Sequence, residues 1–354
     1  MDKRVLLLND TEDVYHWGCY GTSKAIKDQL VKKGITEIDC MTVAQTHSLA
    51  NIPTKLSEFG DKETFSCSFP EIADKLDKCD AVVINGEGTI HGFKDAPRAL
   101  LYLAYASKQY FGKKVMLINH SCYPKSCKPN VLNFYKAAYS SCDYVAARES
   151  RSTRIVENRL GVKCVRSFDS LPLTIKSVYD QIPQPLLEKP YICISGAVNY
   201  NTAKSPIIAR RLLNIYPQHN YVYLVGSKNG ANSEEPRVYE SLKKFIPSIE
   251  LFDAKSFLEW LSVIRHSELL LSGRFHYTIA ALCLGTRAIC FRSNTPKINS
   301  VVEDLNLPAV IPKQPSFLFE SMLWYQMKKS NECQRPDIMS YLCSLAQKNY
   351  DWDI

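Results

Sequence analysis

Residues 269–298, LLLSGRFHYTIAALCLGTRAICFRSNTPKI, contain a complete strand–helix–strand unit. An aliphatic run leads through a Ser-Gly pair into an apolar helix that Gly285 ends. A second aliphatic run, residues 288–291, then predicts another strand. Strand, helix and strand in this order are typical of a parallel sheet, whose strands are buried on both faces.

The same alternation of short aliphatic runs and helical patterns extends over most of the chain. Strands are predicted at residues 4–9, 37–43, 81–85, 114–119, 144–147, 163–167, 191–195, 221–225, 249–252, 268–271, 288–291 and 309–311. Helices are predicted at residues 23–33, 97–110, 150–159, 205–215, 235–245, 256–266, 277–284 and within 316–349. Alternating strands and helices favour parallel βαβ units, so the predicted fold class is α/β.

A Pro-rich stretch divides the chain into two halves. Residues 177–190, SVYDQIPQPLLEKP, carry three prolines and interrupt the alternation. A length of 354 residues also fits two domains better than one core. We therefore predict one Rossmann-like lobe over residues 1–178, a linker over 179–189 and a second Rossmann-like lobe over 190–354. The second lobe ends in helices, and a cleft is expected between the lobes.

The composition indicates a globular protein, since 45% of the residues are hydrophobic and 23% are charged. A net charge of +8 favours an anionic partner, but no Arg/Lys tract with interleaved aromatics indicates nucleic acid. The 13 cysteines form no Cys-x-x-Cys pair, so no metal site is predicted. The first apolar run is too short for a signal peptide, and no run is long enough to span a membrane. These features predict a cytoplasmic protein with free thiols.

The segments that follow the strands are the candidate site, because ligands of open parallel sheets lie beyond the carboxyl ends of the strands. The first is HWGCYGTS, residues 16–23, where Gly18 permits a tight loop. Thr22 or Ser23 can cap the next helix, whose N-terminus would favour an anion. Trp17 is either a packing wedge or a platform on which a sugar stacks.

The second segment is INGEGTIHGF, residues 84–93, which follows the third strand and is rich in glycine. The glycines would let a substrate approach Glu87, which could act as a general acid or base. A lone histidine in such a loop is more often a structural hydrogen-bonding group than a catalyst. The further candidate contact residues of this segment are Gly86, Gly88, Thr89 and His91.

Two charged residues follow the last strands of the first lobe. Arg148, in VAARESRS at 145–152, can make a bidentate contact with a carboxylate or phosphate. The alternative is a surface ion pair with Glu149 or Glu157. Asp169 either caps the next turn or presents a carboxylate to the cleft.

Arg274, His276 and Lys297 follow two adjacent strands of the second lobe and together predict an anion site with a proton donor. The block SGRFH followed by SNTPKI resembles the C-terminal hallmark of the polysaccharide pyruvyl transferase family. HWGCYGTS resembles the opening loop of that family, and VAARESRS resembles its Arg-acidic-x-x-Ser element. The resemblance extends in order from about residue 5 to residue 310.

The resemblance implies a two-lobed fold like that of the GT-B glycosyltransferases. It also implies transfer of a pyruvyl group from phosphoenolpyruvate to a sugar of a cell-surface glycan, such as an exopolysaccharide, or of its precursor. Carried over to this chain, the family's functional cations match Arg148, Arg274, His276 and Lys297, and the donor-binding block includes Ser272 and Gly273. The second lobe is then expected to bind the donor and the first lobe the acceptor.

One departure from the family leaves a second reaction open. Where many pyruvyl transferases carry a run of glycines, this chain has GEGTIHG. Glu87 and Asp169 would supply the two carboxylates of glycosyl transfer. The alternative is therefore a GT-B-like glycosyltransferase with a CMP-activated keto-sugar donor of the Kdo or sialic-acid type, whose carboxylate Arg274 would hold. A non-catalytic glycan-binding module is a third reading, against which the retained cations argue.

The expected partners are a saccharide acceptor, free or lipid-linked, and an anionic donor. No cofactor is expected, because phosphoenolpyruvate or a CMP-sugar would be a substrate. Peripheral contact with the inner face of a membrane and the oligomeric state are left open by the sequence.

Overall fold

A computed structural model describes residues 3–14, 16–226, 234–329 and 337–354. These residues form two compact α/β units. Unit 1 comprises the described residues of Met1–Asp13, Thr22–Ser170 and Cys343–Ile354. Unit 2 comprises those of Val14–Gly21 and Leu171–Leu342.

The two units differ from the predicted lobes in three segments. Residues 14–21 belong to unit 2, residues 171–178 also belong to unit 2, and residues 343–354 belong to unit 1. The predicted boundary followed the prolines of residues 177–190. Hydrophobic periodicity identifies helices and strands but carries no information on which sheet each of them packs against, so these exchanges have no signature in the sequence.

Unit 1 is built on a six-stranded parallel sheet with the order β2-β1-β3-β4-β5-β6. Its strands are β1 Lys3–Asp10, β2 Ile35–Thr42, β3 Ala81–Glu87, β4 Lys114–His120, β5 Tyr144–Ala147 and β6 Val165–Arg166. β1 pairs with β2 on one side and β3 on the other. Its aliphatic run from Val5 to Leu8 is therefore completely buried, as expected for an interior parallel strand.

Helices cover the sheet of unit 1. They are α1 Trp17–Lys32, α2 Val43–His47, α3 Lys62–Ser68, α4 Pro70–Lys78, α5 Asp95–Gln109, α6 Pro129–Ser140 and α7 Ser150–Ile155. α7 continues as a π-helical turn over Val156–Leu160 and ends at Gly161, whose φ is 69°. A left-handed glycine is a common helix stop.

Unit 2 is built on a five-stranded parallel sheet with the order β11-β10-β7-β8-β9. Its strands are β7 Tyr191–Ala197, β8 Asn220–Leu224, β9 Glu250–Phe252, β10 Leu269–Gly273 and β11 Ala288–Cys290. The strand predicted at residues 309–311 is wrong, since this stretch makes only an isolated bridge between Ile311 and Phe291. Only three residues lie between Pro308 and Pro312, and proline cannot donate to a ladder, so the bridge is not extended.

The helices of unit 2 are α8 Leu171–Ser177, α9 Ser205–Ile215, α10 Glu234–Lys243, α11 Phe257–His266, α12 Phe275–Leu284, α13 Lys297–Asp304, α14 Phe317–Lys328 and α15 Ile338–Gln347, whose last residues belong to unit 1. Every side chain of α12 is buried, which is why its sequence is apolar on all sides. The helices predicted within 316–349 are α14 and α15, and residues 330–336 lie outside the described part of the chain.

HWGCYGTS is not the predicted loop, because α1 begins at Trp17. The residue that caps it is His16, whose backbone oxygen accepts from Cys19 N at 2.8 Å and whose Nδ1 accepts from the same amide at 3.4 Å. Thr22 and Ser23 lie more than one turn inside the helix and are completely buried. The two glycines suggested a loop, but they serve close packing instead.

The C-terminal residues complete the core of unit 1. The buried Asn349 accepts from Asn119 N at 2.9 Å and donates to the Phe168 carbonyl at 2.7 Å. Tyr350 bonds Ser170 Oγ at 2.8 Å, and both hydroxyls are buried. These contacts satisfy polar groups that unit 1 would otherwise bury without partners.

Within the described ranges, no helix combines the length and apolar composition that crossing a bilayer requires.

Candidate active site

The candidate site of unit 2 is organised by the turn between β10 and α12. Ser272 Oγ accepts from the backbone N of Arg274 at 3.0 Å and fixes this turn. A Cβ at Gly273 would lie 2.3 Å from Ala197 Cβ, so glycine is required where β10 approaches β7. The turn places Arg274 as the residue before α12 and His276 in its first turn.

The start of α1 packs directly on His276. A Cβ at Gly18 would lie 2.1 Å from His276 Cβ, so only glycine permits this approach. Cys19 Sγ lies 3.9 Å from His276 Nδ1. The rings of His16 and His276 meet edge to face, with 5.3 Å between their centroids. The glycine-rich opening motif thus shapes the surroundings of the predicted proton donor.

Four basic groups gather around this point. Burial lowers the pKa of His16 well below its usual range, and the neighbouring basic groups of His276, Arg274 and Lys297 lower it further. His16 is therefore neutral at physiological pH, which agrees with Nδ1 accepting a hydrogen bond. Lys297 is the first residue of α13, and its Nζ lies 5.3 Å from the centroid of the Phe275 ring.

Sequence reasoning missed the partner of Arg274. The guanidinium is ion-paired with Glu235, and the two side chains are 7% and 5% exposed. Glu235 also accepts from Tyr223 Oη at 2.7 Å and from Gly226 N at 3.3 Å. Glu235 lies at the start of an ordinary helical pattern, so nothing in the sequence distinguishes it from a solvated carboxylate.

His16, Cys19 and His276 form the only group of three metal-binding side chains found among the described residues, with donor atoms within 4.8 Å of one another. Neutral imidazoles and a cysteine thiolate are suitable ligands for zinc. However, the positive charges of Arg274 and Lys297 act on the same place and oppose a divalent cation. The expected absence of a metal stays a prediction.

Trp17 is held by the packing of unit 2. Its Nε1 donates to the Ala254 carbonyl at 3.1 Å, and its ring meets Tyr20 edge to face at 5.8 Å. These contacts favour the packing wedge over the sugar-stacking platform. Gly21 also serves packing, since a Cβ there would lie 2.6 Å from Leu171 Cδ1.

In unit 1, Arg148 and Asp169 form a completely buried ion pair. Arg148 NH1 donates to Asp169 Oδ2 at 2.7 Å, and the side chains are 1% and 0% exposed. Thr22 donates to the other carboxylate oxygen at 3.0 Å, and Arg148 Nε donates to Ser121 Oγ at 3.0 Å. Asp169 is therefore engaged on both oxygens. The alternative of a surface ion pair is wrong, because Arg148 is buried and its ion pair with Glu149, at 3.9 Å, is internal.

Glu87 is the last residue of β3 and lies at the same edge of the sheet. Its carboxylate accepts a hydrogen bond from Thr11 Oγ1 at 2.8 Å. The residue is only 7% exposed, and its backbone φ is 37°. Thr11 in turn bonds Ser23 Oγ at 2.9 Å. A non-glycine residue with positive φ at a strand end is strained and is often found at functional sites.

The other candidates of this segment have structural contacts. His91 Nδ1 bonds the Gly88 carbonyl at 2.6 Å, and Thr89 accepts from Asn9 Nδ2 at 3.4 Å. A Cβ at Gly86 would lie 2.4 Å from His120 Cβ, so this glycine permits the packing of two neighbouring strands.

A row of asparagines at this edge was missed although the sequence contains its signal. Asn9, Asn85 and Asn119 lie at the carboxyl ends of β1, β3 and β4, which are neighbours in the sheet. Asn9 donates to the Asn85 carbonyl at 2.6 Å, and Asn119 donates to Asn85 Oδ1 at 2.8 Å. Three aliphatic runs that each end in asparagine are visible in the sequence.

His120 gives unit 1 a testable acid sensitivity. Its ring is buried, Nδ1 donates to the Ala146 carbonyl at 2.9 Å, and burial with the Arg148 charge lowers its pKa to about 3. The unfolded chain binds a proton near pH 6.5 and the folded chain does not, so stability falls as the pH drops below 6.5. Between pH 7 and pH 5, the free energy of unfolding of His120→Gln should fall by about 2 kcal/mol less than that of the wild type. Urea unfolding at both pH values measures this difference. An equal pH dependence of stability in the wild type and in His120→Gln would contradict the prediction.

The predicted site residues thus fall into two groups. Trp17, Gly18, Ser272, Gly273, Arg274, His276 and Lys297 lie in unit 2, and Thr22, Ser23, Gly86, Glu87, Gly88, Thr89, His91, Arg148 and Asp169 lie in unit 1. In both units they lie at or just beyond the carboxyl ends of the parallel strands, where ligands of this fold type bind.

Two Rossmann-like units with parallel sheets define the GT-B class, and solved structures of that class match nearly the whole chain. MnaA of S. aureus, in a structure with UDP, has a TM-score of 0.59 at 16% identity, over 96% of this chain and 94% of that one. UDP-GlcNAc 2-epimerase of Neisseria meningitidis, bound to UDP-GlcNAc, has a TM-score of 0.57 at 14% identity, over 98% and 100%. HepE of Anabaena, with UDP and glucose, has a TM-score of 0.56 at 9% identity, over 99% and 96%. The predicted fold class is confirmed.

The sequence profile of the polysaccharide pyruvyl transferase family matches residues 17–295. The chain belongs to this family, and it is a transferase. Among curated proteins, none matches the chain at a significant level.

Proposed function

We propose that the protein transfers a pyruvyl group from phosphoenolpyruvate to a sugar of a cell-surface glycan or of its precursor. The observation that carries this proposal is the group of basic side chains in unit 2, where Arg274 precedes α12, His276 lies in its first turn and Lys297 Nζ lies 5.3 Å from the ring centroid of the intervening Phe275. Phosphoenolpyruvate bears a carboxylate and a phosphate, so binding it requires several cations. Family membership supports the same reaction.

The reaction joins two hydroxyl oxygens of the sugar to carbon 2 of phosphoenolpyruvate and forms a ketal. One hydroxyl proton ends on the methylene carbon, which becomes a methyl group, and the other ends on the departing phosphate. His276 would transfer a proton to the methylene carbon or to the phosphate. Arg274 and Lys297 would hold the two anionic groups and offset the charge of the transition state.

The ion pair with Glu235 suits Arg274 to the role of binding a substrate anion. A guanidinium that is already oriented by a buried carboxylate needs little rearrangement to receive a substrate anion. In the same proposal, unit 2 is the donor side and unit 1 the acceptor side, with Glu87 as the base for a sugar hydroxyl. The positive φ and low exposure of Glu87 would hold its carboxylate in one orientation.

A second candidate is a glycosyltransferase with a nucleotide-activated sugar donor, the CMP-activated keto-sugar of the Kdo or sialic-acid type being the chemically closest. It is favoured by the solved structures of similar fold, which contain UDP or UDP-GlcNAc. It needs Asp169 as a catalytic carboxylate beside Glu87. Asp169 is 0% exposed and bound by Arg148 and Thr22, which argues against that role.

The two candidates are distinguished by the leaving group. The purified protein is incubated with phosphoenolpyruvate and an oligosaccharide acceptor, and ³¹P NMR follows inorganic phosphate. Acceptor-dependent phosphate release supports pyruvyl transfer. CMP release from a CMP-sugar, without phosphate release from phosphoenolpyruvate, would refute it. A thermal-shift screen with both donors adds a binding measurement, because a ligand of the folded state raises Tm.

His276→Gln should lower the turnover of pyruvyl transfer by about 10²- to 10⁴-fold, the usual loss for a general acid. The thermal shift by phosphoenolpyruvate should be retained, because Arg274 and Lys297 still hold the anion. The matched control is His266→Gln, whose Nδ1 bonds the Ser262 carbonyl at 3.0 Å outside this group of cations. Equal turnover in both variants would exclude His276 as the proton donor.

A further inference from the structure

Helix α14 exposes an unusual number of large apolar side chains. Phe317 is 89% exposed, Leu318 and Tyr325 are each 58% exposed, and Trp324 is 41% exposed. Single exposed apolar residues are common on soluble proteins, but a contiguous group of them marks an interaction surface.

These side chains lie on one face of the helix. At 3.6 residues per turn, positions 317, 318, 321, 324, 325 and 328 fall within a stripe about 120° wide, and Ser321 is its one small polar residue. The opposite face carries Phe319, Leu323 and Met327, which are buried in the core of unit 2. α14 is therefore apolar on both faces while only one of them is covered by its own unit, which is unusual for a helix at a protein surface.

The surroundings of this face are positively charged. Glu320 is the only acidic residue of α14, and it accepts hydrogen bonds from Arg210 and Arg211 at 2.5 Å each. Lys328 ends the helix within the exposed stripe, and its Nζ lies 5.1 Å from the centroid of the Trp324 ring. Lys313 and Lys329 flank the helix on its two sides in the sequence. The apolar stripe is thus bordered by lysines. The only carboxylate of α14, that of Glu320, is already paired with two arginines and does not offset their charge.

We propose that the exposed face of α14, formed by Phe317, Leu318, Trp324, Tyr325 and Lys328, binds the interfacial region of an anionic lipid bilayer. Aliphatic and phenyl side chains enter the boundary between headgroups and acyl chains, whereas tryptophan and tyrosine favour the headgroup level. Lysines attract anionic headgroups at a bilayer surface. The helix lies on the membrane and does not cross it.

A second copy of the chain is a poorer occupant of the same face. A two-fold contact would bring the same surface patch of both copies together. Each patch carries Lys328 and only apolar or uncharged side chains beside it, so like-charge repulsion opposes the contact. An anionic bilayer complements both the apolar stripe and its basic border.

The surface would bring the transferase to a membrane, where a lipid-linked acceptor is presented. That consequence rests on the proposed function, but the binding itself does not. Vesicle binding is measured without any substrate, so a failed pyruvyl transfer and a failed membrane contact are separate results.

The test is co-flotation of the full chain with vesicles of phosphatidylcholine alone or mixed with phosphatidylglycerol. We expect the protein to float with the mixed vesicles, and raising the salt concentration should weaken binding through screening of the lysines. Phe317→Glu/Leu318→Glu should reduce the bound-to-free ratio at least tenfold. These carboxylates occupy the first turn of α14, where they favour the helix dipole, so the variant should melt no lower than the wild type.

The control is Val31→Glu/Leu251→Glu, which also replaces two exposed apolar side chains by glutamate but lies outside α14. Val31 is 61% exposed and Leu251 is 52% exposed. This control should float like the wild type. Lys328→Gln/Lys329→Gln should weaken binding to mixed vesicles only. The proposal is overturned if the wild type does not float, if both glutamate variants float equally, or if size-exclusion light scattering shows a dimer that Phe317→Glu/Leu318→Glu dissociates.

Discussion

Gly18→Ala is expected to reduce the activity of the protein at least about 100-fold, because a misplacement of about 1 Å in a catalytic group can cost that much. The added Cβ would lie 2.1 Å from Cβ and 2.5 Å from Cγ of His276. Neither atom is the free end of a flexible side chain, so α1 and α12 must move apart. Such overpacking typically costs about 1–3 kcal/mol of stability. Steady-state kinetics and thermal unfolding measure the two effects.

Gly34→Ala is the matched control. A Cβ at Gly34 meets no atom within 4 Å, but φ is 78°, a conformation that alanine adopts at a cost. This variant should lose about 1 kcal/mol of stability and keep its activity. If Gly18→Ala retains wild-type turnover, the close packing of α1 on His276 is irrelevant to the reaction.

Arg148→Met is expected to destabilise unit 1 by about 3–5 kcal/mol, the usual cost of leaving one charge of a buried pair uncompensated. Both side chains of the Arg148–Asp169 pair are at most 1% exposed. The double variant Arg148→Met/Asp169→Asn should recover part of the loss, because the charge of Asp169 is removed and asparagine can still bond Thr22. The recovery is incomplete because the buried Glu149, 3.9 Å from Arg148 Nε, also loses its cation. Urea unfolding gives the free energies, and hydrogen exchange of β4 and β5 assigns the change to unit 1.

The exposed pair Lys24–Asp28 provides the comparison. Its charged atoms lie 3.2 Å apart and its side chains are 37% and 43% exposed. Lys24→Met should cost less than about 1 kcal/mol. The activity of the recovered double variant then tests Arg148 itself. We expect it to stay active, because Arg148 is completely buried in an internal network. Loss of turnover in the folded double variant would show that Arg148 also takes part in the reaction.

The sheets could be predicted from the sequence because interior parallel strands are buried on both faces and appear as uninterrupted aliphatic runs. The runs at Val5–Leu8 and Leu269–Leu271 are examples, and the order of strands and helices then indicates the fold class. Residues 309–311 show the limit, since a short aliphatic run beside proline has the same composition whether or not it pairs. The start of α1 was misplaced because Gly18 and Gly21 usually indicate a loop, and their packing partners are distant in sequence.

The candidate site was partly predictable for the same reason. Arg274, His276 and Lys297 follow recognisable strands, so the sequence indicates that they lie at one edge of a sheet. Glu235 and Cys19 had no such signal, because each depends on a contact with a residue at least 39 positions away. The burial of Asp169 could not be predicted either, since a carboxylate after a strand is more often solvated than paired inside a core.

The assignment of residues 343–354 to unit 1 has a consequence for synthesis on the ribosome. Asn349 supplies the hydrogen bonds to Asn119 and Phe168 that close the core of unit 1. When residue 170 has emerged, that core still lacks this partner. At about 5–20 residues per second, the remaining chain takes on the order of ten seconds or more to appear. The nascent first half therefore waits with an incomplete interior, and a chaperone that shields exposed apolar surface should bind it until translation ends.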